Sequence, residues 1–432
     1  MKGKGRFRLI EWGKTLLIIL LAASAIYLLG ETQFSQGMLD RVQTLLSGTP
    51  SQAQTGPAGQ SDPAVVRPMR IVMTLEGGQR YGVQYDTAEI DTVFSSVSTL
   101  LAEALSSAGA PKKISENTWR SGLEREGIWL DLYYPLPLAV LSGHLDDQLP
   151  GAASSAVVRR LCLSAGRDDS VELQYFNEQD GAFYAGITTL SRRTHLEPVL
   201  AAWSANGAMF AFEVPGMEHV VPYLLLTTTP QPMTYRSSNP LTGAGERIAE
   251  LLRELSFPTR GNTLDPLKGG LQVEGNDSLR LLENGVLTFH ALGDSEFRFL
   301  LPENTRQGAL DFTQSLANAT VGKWCEGATL CLAGVQDTAD GLEVRYQYGL
   351  DGIPVELPAG SAAARFVVRG GAVTDFSLYF RSYTPTGETT LVLPERQAAA
   401  ALGPGAGEEN QLTLIYQDGG GETVRAGWIA NE

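Results

Sequence analysis

The chain has 432 residues, about three times a typical domain length, which predicts two or three domains. Hydrophobic residues make up 43% of it and charged residues 19%, a composition that excludes wholesale disorder. Lys and Arg together number 33, whereas Asp and Glu number 48. Five of the positive side chains and one of the negative ones lie in the first fourteen residues, so the remaining chain has a net charge of −19. A body this acidic argues against a nucleic-acid partner, because affinity for nucleic acid comes mainly from neutralising phosphates.

The amino-terminal segment predicts a membrane anchor. A basic segment, residues 1–14, leads into the uncharged run Thr15–Leu29. This run is short for a bilayer core of roughly 30 Å, but extension back to Leu9 gives enough length. We therefore expect a transmembrane helix over residues 15–30 that contacts the lipid bilayer. The positive flank predicts a cytoplasmic amino terminus and an extracytoplasmic remainder of the chain.

Two interpretations of this segment stay open. Ala23-Ser-Ala25 has the small-x-small form of a signal-peptidase site, so a cleaved signal peptide is the alternative. The apolar run continues past that site to Leu29, which favours an uncleaved helix. In such a helix, small side chains either let a partner helix approach closely or merely face lipid. The candidates for a helix–helix contact are Ala22, Ala23, Ser24 and Ala25.

Two further segments separate the anchor from the outer domains. Residues 31–46 carry apolar side chains at spacings of three to four, which predicts a juxtamembrane helix. Residues 47–68 are small, polar and rich in Pro and Gly. Such a segment cannot form a core, so it is expected to be a flexible linker.

From Met69 onward the pattern becomes that of strands and amphipathic helices. A first extracytoplasmic α+β domain is expected over residues 69–236. Asp86 or Thr87 caps a helix whose apolar residues, from Ile90 to Leu105, follow helical spacing. A short helix is also predicted over 137–145. The strands predicted in this domain are 70–75, 81–85, 127–134, 157–163, 170–176, 183–189, 209–213 and 223–229.

The order of one helix followed by several strands then recurs. A central α+β segment is expected over residues 237–300 and a C-terminal α+β domain over 301–432. Their predicted helices are 246–255, 305–319 and 394–402. Their predicted strands are 271–274, 279–282, 286–291, 330–337, 342–348, 363–369, 372–383, 411–416 and 424–429. This order predicts the α+β class, with antiparallel sheets each packed with helices, because a parallel doubly wound sheet needs strands and helices to alternate.

The sequence contains no recognisable motif for catalysis. His-Glu-x-x-His, Gly-x-Ser-x-Gly and phosphate-loop patterns do not occur in it. Two adjacent acid pairs, Asp146 with Asp147 and Asp168 with Asp169, lie in predicted loops, where solvated turn residues are the simpler interpretation. We therefore predict no catalytic residue, no cofactor and no metal site.

The three cysteines leave one question open. Cys325 and Cys331 flank a segment of five residues, so in an oxidising compartment they either close this loop by a disulfide or stay free thiols. Cys162 lies in the apolar run 157–163 and is expected to be a small core residue.

Four places along the chain share features with one known family. The first is the basic, Trp-containing start that runs into a single anchor helix. The second is Trp119 followed by the strand 127–137, which ends in a proline-rich turn. The third is the hairpin 269–289 with its Asn-Gly turn, and the fourth is the pair of segments 344–355 and 364–380. Together they resemble the YycH/YycI family of membrane-anchored regulators of Gram-positive bacteria.

This resemblance implies a non-enzymatic regulator in a two-component signal-transduction system. It implies a WalK-type sensor histidine kinase as the partner, with the anchor helix beside the kinase's own helices, and a second YycH/YycI-like protein as a further candidate partner. It carries over no catalytic residue. A different class stays open, a cell-envelope hydrolase or a peptide- or glycan-binding protein. In that class tryptophans would line a cleft instead of packing in the core, and the candidates are Trp119, Trp129, Trp203, Trp324 and Trp428.

Overall fold

A computed structural model describes residues 66–145, 155–257, 271–274, 277–291, 299–402 and 411–431. The expected anchor, the juxtamembrane helix and most of the linker lie outside these ranges, as do Asp146 and Asp147. Within the ranges, no helix combines the length and the apolar character needed to cross a membrane.

The helices are named in chain order. In the described ranges they are Thr87–Ser107 (α1), Glu116–Glu124 (α2), Leu138–His144 (α3), Glu197–Leu200 (α4), Gly245–Glu254 (α5), Arg306–Ala319 (α6) and Glu395–Leu402 (α7).

The strands are named in the same way. They are Pro68–Thr74 (β1), Arg80–Gln84 (β2), Lys112–Ile114 (β3), Gly127–Pro137 (β4), Val157–Ala165 (β5), Ser170–Asn177 (β6), Ala182–Ser191 (β7), Met209–Phe210 (β8), Leu225–Leu226 (β9), Met233–Ser238 (β10), Leu271–Glu274 (β11), Asp277–Leu281 (β12), Val286–Ala291 (β13), Thr329–Thr338 (β14), Gly341–Leu350 (β15), Ile353–Glu356 (β16), Ala364–Arg369 (β17), Ala372–Tyr379 (β18), Ser382–Thr389 (β19), Gln411–Gln417 (β20) and Thr423–Asn431 (β21).

The first sheet takes its strands from one continuous part of the chain. Its order is β2-β1-β4-β5-β6-β7-β3, and its neighbouring strands are antiparallel. Helix α1 packs against β1, β2, β6 and β7. It begins after Asp86, whose carboxylate accepts a hydrogen bond from the amide of Glu89. Its apolar residues recur every three to four positions, so one face is buried on the sheet. That face consists of Ile90, Val93, Val97, Leu100, Leu101, Ala104 and Leu105.

The second sheet is assembled from strands that are far apart in sequence. Its order is β11-β12-β13-β18-β17-β15-β16-β20-β21-β10-β19, and β14 pairs with β15 off this path. The β16–β20 pair is parallel, and the other described pairs are antiparallel. Helix α6 packs on β15 and β17. The hydroxyl of Thr305 caps it by accepting from the amide of Gly308.

One hydrophobic cluster joins the two sheets. It includes Leu101 of α1 and Leu130 of β4 together with Tyr348 of β15, Phe366 of β17 and Leu414 of β20, each exposed by no more than 1%. A smaller cluster packs α7 between the β8–β9 ribbon and β20. The two sheets therefore share a core and meet along a continuous contact.

The α+β class with antiparallel sheets is confirmed, and so are the long periodic elements. Several local predictions differ from the structure, and three of the differences have a clear physical reason. Helix α2 was not predicted, because only Trp119 and Leu123 give it an apolar stripe and its other positions are mostly polar. The strand predicted over 209–213 ends at Phe210, whose amide donates to the side chain of Glu213 and starts a helical turn. The strand predicted over 372–383 divides into β18 and β19 around the buried side chain of Arg381.

The domain division made from the sequence stays a prediction. Strand β10 belongs to the second sheet and spans the position between residues 236 and 237 where the first boundary was placed.

Candidate functional site

The contact between the two sheets is the candidate functional site. We define this seam by Gln84 and Tyr85 at the end of β2, Gly352 in the β15–β16 turn, Glu395 at the start of α7 and Trp428 in β21. Tyr85 has a left-handed backbone with φ of 60°, and its ring meets the Trp428 ring edge to face at 6.1 Å between centroids. A Cβ added to Gly352 would lie 3.0 Å from the amide nitrogen of Asp86. The backbone of the β15–β16 turn is therefore in contact with the backbone that follows β2.

A buried charge cluster supports the seam from the first sheet. Arg70 of β1 and Asp131 of β4 are 2% and 1% exposed, and Nη1 of Arg70 lies 3.1 Å from Oδ2 of Asp131. Nε of Arg159 donates to the other carboxylate oxygen at 2.8 Å. Nη2 of Arg70 donates to the hydroxyl of Tyr85 at 3.2 Å. Burial raises the pKa of Tyr85, so this hydroxyl stays neutral and fixes the position of the tyrosine.

Gln84 connects three parts of the chain at the seam. Its Nε2 donates to the carbonyl of Leu225 at 3.2 Å, to the hydroxyl of Thr227 at 2.9 Å and to Oε1 of Glu395 at 3.1 Å. Glu395 is 2% exposed. Burial raises the pKa of this carboxyl to about 7.

A groove of about 480 Å³ opens at the seam, between the start of α1 and the segment Pro230–Pro232. Three carboxylates line it, and each has a partner. Asp86 caps α1, Asp351 accepts from the hydroxyl of Tyr235 at 2.7 Å, and Asp91 lies 3.4 Å from Nε of Arg67. Each of these acids is therefore already engaged by another group of the chain.

A second groove, of about 850 Å³, lies beside α2 and the loop that joins β8 to β9. The guanidinium of Arg160 lies between two aromatic rings, 5.0 Å from the centroid of Phe176 and 4.4 Å from that of Tyr223. Phe212 and Met217 add apolar surface to its wall. We call this the aromatic groove. Its size and its mixture of rings and one stacked cation suit a small organic ligand or a short peptide.

The structure places the residues that the sequence singled out as follows. The helix–helix candidates Ala22, Ala23, Ser24 and Ala25 lie outside the described residues, so their role stays a prediction. Asp168 and Asp169 both have a positive φ in the β5–β6 turn, and Asp169 accepts a hydrogen bond from Ser191. They are turn residues and do not converge on another acid pair.

The tryptophans and cysteines are mostly core residues. Trp119, Trp129 and Trp324 are buried, whereas Trp203 and Trp428 are partly exposed. Cys162, Cys325 and Cys331 are buried free thiols. Cys325 lies in the large shared cluster, whereas Cys331 packs against Met69 and Tyr133 in a separate one.

The sequence analysis named Trp428 only as a possible cleft residue, and it missed the other seam residues and the Arg70–Asp131 pair that supports them. The signal that was available is a charge in the middle of an apolar strand. Arg70 follows Met69 and precedes Ile71, and Asp131 lies between Leu130 and Leu132. A buried charge needs a partner, so these two residues could have been paired. Gln84 and Glu395 carry no such signal, because nothing in their local sequence indicates burial.

The side chains of the seam bind parts of the chain to one another. Among them, no nucleophile is hydrogen-bonded to a general base. Across the described ranges, no three His, Cys, Asp or Glu side chains are grouped as metal ligands. Tyr85 and Gln84 of the first sheet directly contact Trp428 of the second sheet and Glu395 of α7.

Comparison with known proteins identifies the fold. No protein-family model matches the chain, and no curated protein matches its sequence. The structure is similar to the crystal structure of YycH from Bacillus subtilis, with a TM-score of 0.52 and 12% sequence identity. The match covers 87% of this chain and 95% of that one. The resemblance stated from the sequence is thus confirmed at the level of the fold.

Proposed function

We propose that this chain is a membrane-anchored, non-enzymatic regulator of a sensor histidine kinase. The observation that carries the proposal is the shared fold, which extends over nearly the whole of YycH. The resemblance to the YycH/YycI family implies the regulatory role and the WalK-type kinase as partner. The amino-terminal sequence supports membrane attachment, because five positive side chains precede an apolar run.

In this proposal the anchor helix and the outer domains act together. The helix over residues 15–30 packs beside a kinase helix through Ala22, Ala23, Ser24 and Ala25. Lipid does not drive helices together, so close packing of small side chains has to supply the contact. The outer domains lie outside the cell membrane and bias the kinase between two helix arrangements.

The anchor contact is tested by adding bulk at its centre. Replacing Ala22, Ser24 and Ala25 by Leu keeps the segment apolar and adds volume where a partner helix would approach. We expect less kinase to co-purify with this variant and the kinase's reporter genes to respond less to the regulator. A matched control replaces Ile18, Ile19 and Ile26 by Leu, which changes shape but not volume. If the triple-Leu variant behaves like this control, the helix is only a tether.

The orientation of the protein in the membrane is tested separately, so that a wrong orientation does not count against the kinase as partner. Protease added to intact protoplasts is expected to remove the outer domains. Mass measurement of the membrane-bound protein is expected to show an uncleaved amino terminus. Full protection would refute the orientation, and a start near residue 26 would establish the cleaved signal peptide instead.

A second candidate function is peptide or glycan binding in the cell envelope. The aromatic groove favours it, because Phe176 and Tyr223 present rings around a fixed guanidinium, an arrangement that suits planar or carboxylated ligands. Titration with cell-wall fragments tests this candidate. Saturable binding that is lost in Phe212→Ala and kept in the core variant Trp129→Phe would favour it.

A further inference from the structure

The carboxyl group of Glu395 is buried without a bonded cation. It is 2% exposed, and Gln84 is its side-chain partner, at 3.1 Å. Arg70 acts on it only at longer range. The hydrogen bonds of Arg70 go to Asp131 and Tyr85 instead. A carboxylate in this position would have lost most of its hydration and gained in return only a hydrogen bond from its own backbone amide and a shared one from Gln84.

The surroundings of Glu395 also contain too many acceptors. Three acceptors converge on Nε2 of Gln84, which has two hydrogens. The other end of the same amide, Oε1, is buried and receives no hydrogen bond. A proton on Glu395 removes one acceptor from this group and supplies a donor. The geometry therefore matches the neutral acid better than the carboxylate.

We propose that Glu395 is a proton-dependent contact that holds α7 against the first sheet. The seam is closed when this carboxyl carries its proton and loosens when the proton leaves. The inference goes beyond the proposed function, because it concerns how the seam responds to pH and holds whichever partner the protein has.

The charged and titratable groups around α7 come from several elements. They are Arg70 of β1, Tyr85 after β2, Asp131 of β4, Arg159 of β5, His219 in the β8–β9 loop and Arg396 of α7 itself. From β20 and β21 the contacts are apolar, through Leu412 and Trp428. Among these groups is the imidazole of His219, whose Nε2 lies 2.8 Å from the carbonyl oxygen of Ala399 in α7. The test has to separate His219 from Glu395.

The direction of the effect follows from linkage. Burial raises the pKa of Glu395 from 4.5 to about 7 in the folded chain. For an acid whose pKa is raised by folding, the contact is strongest below about pH 4.5 and is lost as the pH rises toward 7. Across this interval the equilibrium constant for opening the seam rises by up to about tenfold per pH unit, and it levels off above pH 7.

Hydrogen–deuterium exchange of the full-length protein measures this opening. Labelling is done at pH 5, 6, 7 and 8, with times scaled for base-catalysed exchange. We expect opening at α7 and β2 to increase by about ten- to a hundredfold between pH 5 and 7, while β17 stays protected. Glu395→Gln keeps the shape and is always neutral, so its α7 and β2 should stay protected at every pH.

Two controls assign the effect. Glu388→Gln makes the same chemical change at an exposed position of β19 and should leave the pH dependence intact. His219→Gln keeps a donor for the Ala399 carbonyl but does not titrate, and the dependence should survive it. The proposal is overturned if the wild-type protein shows no dependence, a result that needs no variant to fold. It is equally overturned if the dependence disappears in His219→Gln or persists in Glu395→Gln.

Discussion

At the scale of single residues, the second sheet depends on one fully buried ion pair. Nε and Nη2 of Arg381 donate to the two carboxylate oxygens of Asp418 at 2.8 and 2.9 Å. The hydroxyls of Tyr383 and Ser237 donate to the same carboxylate at 2.9 and 3.1 Å. Four hydrogen bonds from these three side chains thus compensate a charge that has been removed from water. Losing either charge leaves the other one buried and unpaired.

We predict that Asp418→Asn destabilises the protein by about 3–5 kcal/mol, because the guanidinium of Arg381 remains buried without its counter-charge. Urea unfolding followed by tryptophan fluorescence measures the change. The matched control is Asp337→Asn, which removes a surface pair with Arg306 in which the aspartate is 80% exposed. That pair should contribute less than about 1 kcal/mol. Equal costs for the two variants would show that the Arg381 pair is no more important than a surface contact.

The cysteines give a second prediction at this scale. Burial raises the pKa of Cys162 to about 12 and that of Cys325 and Cys331 to about 11. Because the thiolate is the reactive form, we expect no alkylation of the native protein at pH 8. After unfolding without reductant, mass measurement should show three labelled thiols. One label instead of three would mean that Cys325 and Cys331 form a disulfide.

Sequence reasoning at the residue scale succeeds where a side chain's partner is local. The cap of α1 at Asp86 was predictable because its hydrogen bond reaches only to Glu89. The partner of Arg381 is 37 residues away, and the contact between Gln84 and Glu395 spans 311 residues. No local pattern encodes such distances, because these contacts form only when segments far apart in sequence meet in the folded chain.

At the scale of elements, length and periodicity decide what the sequence reveals. Helix α1 has six turns of apolar spacing and was predicted within a residue or two of its observed ends. Helix α2 has nine residues and two large apolar side chains, and tertiary packing of Trp119 decides its conformation. The ribbon of β8 and β9 has two residues in each strand and depends on the loop between them. Short elements of this kind are determined by tertiary packing, which cannot be predicted from the spacing of apolar residues.

The β15–β16 turn allows a prediction about the seam. Gly352 has φ of 79°, and an added Cβ would lie 3.0–3.2 Å from the backbone of Tyr85 and Asp86. Gly352→Ala therefore places a side chain in a left-handed backbone conformation, which costs about 1–2 kcal/mol. It also creates a steric overlap with the backbone of Tyr85 and Asp86 that is relieved only if the seam opens. Gly181 is the control, with φ of 63° and nothing within 4 Å of an added Cβ. We expect Gly352→Ala to lower stability by about 1–2 kcal/mol more than Gly181→Ala and to speed exchange at β2.

Chemical denaturation and hydrogen exchange of the two glycine variants give the comparison. A difference confined to global stability, with exchange at β2 unchanged, would show that the turn does not brace the seam.

At the scale of the whole molecule, the shared core predicts that the outer portion folds without its anchor. A chain starting at Val66 retains the sheets and the helices that cover them. We expect it to be soluble and acidic, to give circular dichroism dominated by strand, and to unfold in one cooperative step, because one hydrophobic cluster includes both sheets. Aggregated material, or a mainly helical spectrum, would contradict this prediction. Two separate unfolding transitions would show that the sheets are independent.

The position of β10 in the second sheet has a consequence for folding during synthesis. The first sheet uses residues 68–191 only, so all its strands are available once less than half of the chain has been synthesised. Strand β10 follows soon afterwards but pairs with β19 and β21, whose residues extend to Asn431. It must wait unpaired for about 150 further residues, until β19 has been synthesised, at roughly 5–20 residues per second. For that interval of roughly eight seconds or more, the nascent chain presents a completed first sheet followed by an unpaired strand. A premature stop before β19 would make that exposed state permanent.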